Sequence, residues 1–406
     1  MEAALGRGMV SDAFRQRYGV APVVLVRAPG RVNVIGEHTD YSNLPVMPMA
    51  IQRSLLIAAG PAADGRITAY STEFGASELV DSDIAIEPQG WARYLWAAAA
   101  EQPPADGVRL LVGGDLPVES GLSSSAALVT GVLAAIAAVA GNQLDPAELV
   151  RRAIAAEQRV GVRSGGMDQT IVVCGRAGAL LRIDFDPPAT RSVTMPDGLA
   201  IVLAFSGERA AKAGAARRRY NALVTAARLA AMVLSRALGM EDQMHLADLR
   251  GRPRLQAAVD ALPEHASIAD VMGGSTATAR LAPDVAATDP LPVGAAARHA
   301  FAEADRVDEA EVALLHGDLR RFGAVLSASH RSLSTELACS TPSLDAVCSA
   351  MLDAGALGAR LTGAGFGGYA LAAVKHSAVG RVLAAGIEAT GGPAFIAEPS
   401  PGLTVA

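Results

Sequence analysis

The strongest hydrophobic pattern in the chain is a run of small and aliphatic residues at 126–140, AALVTGVLAAIAAVA, broken only by Thr130 and Gly131. It follows a turn-rich segment that holds Gly121 and the consecutive serines Ser123, Ser124 and Ser125. The run is shorter than the roughly 20 residues that span a bilayer. We therefore predict a buried helix that begins at the serines.

The remaining pattern alternates between strand-like and helix-like segments. Strands are predicted at 23–27, 46–59, 66–70, 108–112, 180–185 and 200–205, and helices at 11–19, 90–100, 146–158, 209–238, 297–316, 319–333 and 343–354. At 406 residues the chain exceeds the usual size of a single core, so two domains are expected. The proline-containing link 186–196 sets the predicted boundary, giving domains 1–186 and 187–406. The stretch 264–293 has no clear periodicity and is predicted to be a mobile insertion.

The serine-rich start of the predicted helix is a candidate anion site. The first turn of a helix has backbone N–H groups without intrahelical partners, and small residues let a phosphate approach them. Hydroxyl groups add donors or a metal ligand. No lysine follows the glycines and the spacing is neither GxGxxG nor GxSxG, so Walker A, Rossmann and hydrolase sites have no local support. The alternative is an ordinary serine-capped helix.

Polar residues crowd the segment Pro29–Tyr41, which reads PGRVNVIGEHTDY. Its apolar residues interleave with charged ones, a pattern that indicates a strand lining a cleft with polar groups on one side. A solvated hairpin is the alternative. The polar members are Arg31, Asn33, Glu37, His38, Thr39 and Asp40.

Three further features are candidates for chemistry. Gly165 and Gly166 bend the backbone beside Asp168, which presents a carboxylate at a turn or simply caps a helix. Trp91 either stacks on a nucleobase or packs in the core. Four glycines within residues 361–368, LTGAGFGG, indicate a second glycine-rich turn between two strands.

Composition narrows the possible partners. The net charge is −6 and most arginines are scattered, which argues against nucleic acid. The start lacks the apolar core of a signal peptide, so no membrane partner is expected. Three cysteines without pattern suit a reducing compartment, so we expect a cytoplasmic protein. The histidines show no metal-ligand spacing, which argues against zinc.

Taken in order, several segments resemble the galactokinase branch of the GHMP kinases. PGRVNVIGEHTDY resembles the galactokinase signature, GLSSSAA at 121–127 the phosphate loop, and LTGAGFGG the third motif. GGMDQ at 165–169 and the run Asp305–His330 also fit. The resemblance implies a two-domain α+β GHMP kinase fold, with nucleotide and sugar bound in the cleft between the domains.

The resemblance also implies a reaction and its residues. The γ-phosphoryl of MgATP passes to the anomeric hydroxyl of galactose or a galacto-configured sugar, with Asp168 as base and Arg31 stabilising charge. The positions implied to hold sugar hydroxyls are Glu37, His38, Asp40 and Gly165. Those implied to bind ATP are Trp91, Gly121, Leu122, Ser123, Ser124, Ser125, Gly363 and Gly365. Mg²⁺ is assigned to Ser125 and Glu157.

The chain departs from the family pattern at several places. Gly214 stands where the family has a tyrosine that packs on the sugar, and Glu119 stands in the phosphate loop where glycine is usual. The segment from Glu157 to Asp168 is one residue short. Because the basic run at 217–219 is retained, we hypothesise a larger or anionic sugar, such as N-acetylgalactosamine, a uronic acid or a higher sugar phosphate. The alternative is a solvated basic face with galactose as substrate.

Two other functions stay open. One is a catalytically silent sensor that binds sugar and ATP, against which the retained Arg31 and Asp168 argue. The other is a kinase for a non-sugar alcohol such as mevalonate, against which GEHTDY argues. A small-molecule sugar is the expected partner, and the protein is expected to be a monomer or a small homo-oligomer.

Overall fold

The computed structural model describes residues 6–63, 65–73, 77–81, 88–104, 106–118, 120–209, 215–273 and 285–406. A six-stranded sheet organises the first part of the chain. Its strands are β1 (Val24–Ile35), β2 (Met47–Pro61), β3 (Arg66–Ser71), β4 (Ser77–Asp81), β5 (Val108–Gly114) and β12 (Thr404–Val405). The spatial order is β12-β1-β2-β5-β3-β4, and among the described strands of this sheet only β3 and β5 pair in parallel. The C-terminal residues therefore return to the edge of the first sheet.

Helices cover both faces of this sheet. They are α1 (Arg7–Tyr18), α2 (Ala92–Glu101), α3 (Ser124–Val139), α4 (Pro146–Arg159) and α5 (Met167–Cys174). Side chains alternate along β2, so Leu56 and Ala58 pack with α1, whereas Ile57 and Ala59 join the core that includes α3. The predicted buried helix is confirmed: α3 begins at Ser124, and residues 126–137 are all buried.

Beside this sheet lies a hairpin of β6 (Ala179–Phe185) and β7 (Pro188–Thr194). Strand β7 occupies the segment that we predicted as a link, so that part of the prediction is wrong. Its sequence, PATRSVT, buries only Val193, and this leaves too weak an apolar pattern to mark a strand. The domain boundary at 186/187 stays a prediction.

A four-stranded antiparallel sheet forms the second layer, in the order β11-β8-β10-β9. Its strands are β8 (Leu199–Phe205), β9 (Gly358–Leu361), β10 (Tyr369–Lys375) and β11 (Ala394–Ala397). One face of β8, with Ile201 and Leu203, shares the core of the first sheet. The other face packs under α11 (Pro342–Asp353) and α12 (Val379–Thr390). The two sheets are thus joined through one hydrophobic core.

The remaining helices are α6 (Ala215–Ala237), α7 (Leu255–Asp260), α8 (Ile268–Met272), α9 (Val293–Leu315) and α10 (Leu319–Thr335), with 3₁₀ turns at Asp40–Ser42, Leu246–Leu249 and His376–Ala378. The predicted mobile insertion at 264–293 is wrong at its flanks, because Ile268, Val271 and Leu291 are buried in a helical core. Residues 274–284 of it lie outside the described residues. Within the described chain, no helix is long and apolar enough to cross a membrane.

Candidate active site

The outer half of β1 supplies the first polar side chains of the site. Arg31 and Asn33 are buried on this strand, next to register shifts in its pairing with β2. Such bulges bend a strand and re-aim its side chains. The polar strand predicted within 29–41 is confirmed as far as Ile35, where it is continuous in β1 with the strand predicted at 23–27. That this strand lines a cleft stays a prediction.

Arg31, Ser123 and Asp168 form a compact buried cluster. Arg31 Nε donates to Asp168 Oδ1 at 2.6 Å, and Ser123 Oγ donates to Asp168 Oδ2 at 2.5 Å. Burial opposes the charge of Arg31, but the carboxylates of Asp168, Glu37 and Asp40 together outweigh burial, so the pKa of Arg31 is raised above its ordinary value. The helix cap before α5 is Gly166, so Asp168 is not the capping residue. The Asp168 carboxylate instead contacts Arg31 and Ser123.

The same arginine ties the serine-rich loop to β1. Arg31 Nη1 donates to the carbonyl of Gly121 at 2.6 Å, and the Arg31 backbone N–H donates to the carbonyl of Leu122 at 3.1 Å. Ser123 has a left-handed φ of 60° and its side chain makes no capping bond, so the ordinary serine-capped helix does not describe this start. Ser124 and Ser125 lie in the first turn of α3, half-buried, where helical N–H groups lack intrahelical partners.

The second glycine-rich turn contacts both of these segments. A Cβ added at Gly363 would lie 3.0 Å from the carbonyl oxygen of Gly121, and one at Gly365 would lie 2.2 Å from that of Cys339. Thr362 Oγ1 donates to the Asn33 carbonyl at 3.0 Å and accepts from the Asn33 N–H at 3.1 Å. The phosphate-loop candidate, β1 and the glycine-rich turn therefore meet at one place.

Glu37 and His38 connect the first signature to this glycine-rich turn. The carboxylate of Glu37 accepts from Asn33 Nδ2 and from the Gly363 N–H. Burial raises the pKa of Glu37 to about 7. His38 Nε2 lies 3.2 Å from the carbonyl of Ala364, and burial lowers the pKa of His38 to about 3. A carbonyl only accepts, so His38 is a neutral imidazole with its proton on Nε2.

Asp40 and Gly165 join the signature to the segment that carries Asp168. The Gly165 N–H donates to Asp40 Oδ2 at 3.0 Å, and a Cβ at Gly165 would lie 2.1 Å from the carbonyl carbon of Asp40. Only glycine permits this approach. Burial, followed by the nearby charge of Asp168, raises the pKa of Asp40 to about 6.

Tyr220 is a site residue that the sequence analysis missed. Gly214, whose neighbourhood was predicted to lack an aromatic wall, lies outside the described residues, but α6 brings Tyr220 next to the signature. Its ring centroid lies 5.7 Å from that of His38 and 6.0 Å from that of Tyr41. Burial, followed by the charge of Asp40, raises the pKa of Tyr220 well above its ordinary value. The sequence did offer a signal for it, because a tyrosine directly follows the basic run at 217–219.

The residues assigned to magnesium offer oxygen donors of the type that this ion prefers. Glu157 is buried on α4 and accepts from Gln169 Nε2, next to Asp168 on α5, and Ser125 lies in the first turn of α3. Among the residues that the structure describes, no three His, Cys, Asp or Glu side chains form a metal cluster. Ser125 and Glu157 therefore offer oxygen donors for part of a magnesium coordination shell, and phosphates and water would supply its other ligands.

The predicted site residues thus fall into two joined groups and some outliers. Arg31, Gly121, Leu122, Ser123 and Asp168 form one group, and Glu37, His38, Asp40 and Gly165 form the other. Trp91 precedes α2 and packs partly buried against the main core, so its contact with adenine stays a prediction. Glu119 lies outside the described residues.

Comparison with known proteins agrees with this arrangement. Residues 12–61 match the galactokinase galactose-binding signature, 91–176 the N-terminal domain of GHMP kinases and 310–391 their C-terminal domain. The fold matches mevalonate kinase from L. major in complex with R-mevalonate with a TM-score of 0.60 at 16% identity, over 92% of this chain and 95% of that one. The fold is therefore that of the GHMP kinases, as predicted.

Relatives of higher sequence identity show which branch of the GHMP kinases the chain belongs to. Galactokinase from Roseiflexus sp. (strain RS-1) is 33% identical over 386 residues, which is 92% of this chain and 89% of that protein. Galactokinase from Chloroflexus aurantiacus is 35% identical over 93% of this chain and 90% of its own. The crystal structure of Lactococcus lactis galactokinase complexed with galactose matches with a TM-score of 0.81 and 28% identity, covering 98% of this chain and 99% of that one. The chain belongs to the galactokinase family.

Proposed function

We propose that this protein is an ATP-dependent sugar kinase that phosphorylates the anomeric hydroxyl of galactose or a closely related galacto-configured sugar. The observation that carries the proposal is the buried contact of Asp168 with both Arg31 and Ser123, at the start of α3. This contact places a carboxylate beside a helix N-terminus suited to phosphate. Membership of the galactokinase family supports the choice of sugar.

In the proposed reaction, Asp168 accepts the proton of the anomeric hydroxyl while that oxygen attacks the γ-phosphorus of ATP. The bond from the γ-phosphorus to the bridging oxygen breaks, and ADP leaves with the bond's electron pair. Arg31 keeps Asp168 ionised and stabilises negative charge on the transferred group. Ser123 orients the carboxylate, and the first turn of α3 directs N–H groups towards phosphate. Magnesium, held by Ser125 and Glu157, would neutralise phosphate charge.

The sugar side is proposed to consist of the turn that carries Glu37, His38 and Asp40, with Gly165 behind it. Tyr220 supplies an aromatic ring next to His38, and aromatic rings pack well on the apolar face of a sugar. The hypothesis of a larger or anionic sugar rested on a missing aromatic wall and a retained basic run. Arg219, within that run, stacks over Phe366 at 4.4 Å. We therefore favour a neutral sugar.

The test is ADP release with a panel of galactose, N-acetylgalactosamine, galacturonate, higher sugar phosphates and mevalonate. We expect galactose-dependent ADP release that falls about 10²- to 10⁴-fold in Asp168→Ala, the range that a general base contributes, while ATP binding changes little. Asp184→Asn, on β6 and outside the site, is the matched control and should keep wild-type turnover.

Each alternative gives a different result. A sensor would be stabilised thermally by sugar and a non-hydrolysable ATP analogue without releasing ADP. A wide preference for a larger or charged sugar over galactose would support the hypothesis of a larger or anionic sugar. Normal turnover by Asp168→Ala would contradict the assignment of the base.

A further inference from the structure

The turn that carries the proposed sugar-binding residues has a strained backbone. Gly36 has a φ of 98°, and a Cβ there would lie 2.8 Å from Cα of Val46. His38 adopts a left-handed φ of 60° although it is not glycine. Glycine adopts such a φ freely, but a left-handed φ at His38 costs about 1–3 kcal/mol and persists only where the surroundings fix it. Something outside the turn must therefore hold residues 36–38 in place.

A carboxylate from α9 makes that contact. Glu303 is fully buried, and its Oε1 accepts from the Gly36 N–H at 3.0 Å and from the Glu37 N–H at 3.3 Å. One oxygen thus binds two consecutive backbone donors of the turn. Residue 303 is distant from residue 36 in sequence, so this contact joins the signature to the C-terminal half of the chain.

Glu303 is itself fixed by its neighbours. Ser329 Oγ on α10 donates to Oε1 at 2.7 Å, and Arg306 Nη1 donates to Oε2 at 2.6 Å. Arg360 Nη2 lies 4.0 Å from Glu303 Oε1 and 3.7 Å from Glu37 Oε1. Burial alone would raise the pKa of Glu303, but Arg360, His299 and Arg306 outweigh it and lower that pKa to about 2. Glu303 therefore stays ionised as a strong acceptor.

His299 holds the same turn from the previous turn of α9. Its Nε2 lies 3.0 Å from the carbonyl of Glu37, and its Nδ1 lies 2.8 Å from Ser332 Oγ. The carbonyl only accepts, so Nε2 carries the proton and Nδ1 accepts from the serine hydroxyl. Glu37 thus has its backbone N–H bound by Glu303 and its backbone carbonyl bound by His299.

We propose that Glu303 and His299 are positioning residues that hold the strained turn at 36–38 in the geometry that binds sugar, although neither side chain touches the sugar. The inference rests on the proposed function, because it takes Glu37, His38 and Asp40 as the sugar-binding residues. The inference adds that sugar affinity depends on two side chains of α9, Glu303 and His299. Nucleotide binding, which is assigned to the α3 loop, should not share that dependence.

The test compares Glu303→Gln, His299→Phe and wild type in steady-state kinetics with galactose and ATP. We expect the galactose KM to rise about tenfold in Glu303→Gln and more in His299→Phe, since small misplacements of binding groups have effects of this size. The KM for ATP should stay within about twofold in both. His299→Gln, which can still donate to the Glu37 carbonyl, should recover part of the loss.

Glu311→Gln is the matched control. Glu311 is another buried carboxylate of α9, but it accepts from Arg182 and Arg191, away from the turn. We expect it to lower thermal stability and leave the galactose KM within about twofold of wild type, because neither arginine contacts the turn. If Glu303→Gln does not yield folded protein, Ser329→Ala replaces it. We expect its galactose KM to rise about threefold, because one hydrogen bond to Glu303 is lost.

The outcomes separate this inference from the proposed function. No sugar-dependent ADP release by the wild type would contradict the function itself. An active wild type whose Glu303→Gln and His299→Phe variants keep the galactose KM of Glu311→Gln would overturn only the positioning role. Equal rises in the KM for galactose and for ATP would also overturn it, because they would indicate a general structural defect.

Discussion

The carboxylates of this site differ in what their surroundings do to them. Asp40 and Glu37 are buried, and burial raises the pKa of Asp40 to about 6 and that of Glu37 to about 7. Glu303 is equally buried, yet three cationic or polar neighbours lower its pKa to about 2. Arg360 lowers the pKa of both Glu37 and Glu303, but Glu303 also has His299 and Arg306 beside it, so its neighbours outweigh burial at Glu303, whereas burial outweighs them at Glu37.

The raised pKa values of Glu37 and Asp40 predict an acidic limb, that is, a fall in kcat/KM for galactose at low pH. As pH falls through about 7 and then about 6, Glu37 and Asp40 take up protons. Asp40, which we propose accepts from a sugar hydroxyl, then becomes a weaker acceptor. We expect kcat/KM for galactose to fall by up to about tenfold per pH unit below that range. The measurement is a profile of kcat/KM from pH 5 to 9.

Unfolding is not the expected cause of that limb. Both carboxyl groups bind protons more tightly in the folded state than in the unfolded one, so their titration stabilises the fold as pH falls from about 7 towards the ordinary carboxyl range near 4. Circular dichroism at each pH checks that the fold persists. An acidic limb that appears only near pH 4 would show that neither group controls sugar binding.

At the scale of single residues, the sequence predicted the central cluster well. Arg31, Ser123 and Asp168 were each singled out from local context, because polar groups stood beside glycines or within apolar runs. Tyr220 was missed because the aromatic residue was sought at the family position, which is Gly214 before the basic run, and not in the helix after it. Glu303 and His299 were missed because a glutamate or a histidine in a periodic helix normally lies on its solvated face.

Among the elements, the approach of Gly165 to the signature turn has the clearest mechanical consequence. In Gly165→Ala the new Cβ would overlap the carbonyl carbon of Asp40, which lies 2.1 Å from its ideal position. The two backbones must separate, which we expect to destabilise the protein by about 1–3 kcal/mol. Because Asp40 moves with its backbone, the galactose KM should rise at least about tenfold.

Gly380→Ala is the control for that variant. Gly380 lies in the first turn of α12, and a Cβ there would have no neighbour within 4 Å. Alanine favours helix over glycine by up to about 1 kcal/mol, so this change should be neutral or slightly stabilising. Urea unfolding and steady-state kinetics on both variants decide the matter. Equal behaviour of the two variants would show that the contact at Gly165 carries no constraint.

Element prediction succeeded where apolar periodicity was uninterrupted and failed where distant segments supply the partners. Helix α3 was predicted because its run has almost no polar break. Strand β1 was predicted as two pieces, an apolar strand at 23–27 and a polar strand within 29–41, whereas the structure has one strand from Val24 to Ile35. The guanidinium of Arg31 and the backbone of Asn33 find partners far away in the sequence, in Asp168 and Thr362. No local pattern contains that information.

Across the whole molecule, α9 joins the signature turn at 36–38 to the β6–β7 hairpin. At its middle Glu303 binds the turn at 36–37, and about two turns further on Glu311 binds the hairpin. Arg182 on β6 is the centre of the second contact. Its guanidinium lies 2.6 Å from Asp308, 3.0 Å from Glu311 and 3.0 Å from Asp184. One helix thus orients both the signature and the hairpin that follows α5.

This arrangement predicts very different effects for two arginines that bind the same carboxylate. The side chain of Arg182 is 8% exposed and that of Arg191 is 56% exposed, and both pair with Glu311. Breaking a buried pair destabilises a protein by several kcal/mol, whereas exposed pairs contribute about 0–1 kcal/mol. We expect Arg182→Met to lower the free energy of unfolding by about 2–4 kcal/mol, and Arg191→Met by at most about 1 kcal/mol.

Urea unfolding at pH 7 measures both variants, and the galactose KM of each should match wild type, because neither arginine contacts the signature turn. Hydrogen bonding to Arg191, with a further contribution from Arg182, lowers the pKa of Glu311 despite its burial. The stabilisation from this carboxylate is therefore present above the ordinary carboxyl pKa and is lost as pH falls through the lowered one. The deficit of Arg182→Met should accordingly shrink in acid. Equal losses for the two variants would show that solvent exposure does not set the strength of these pairs.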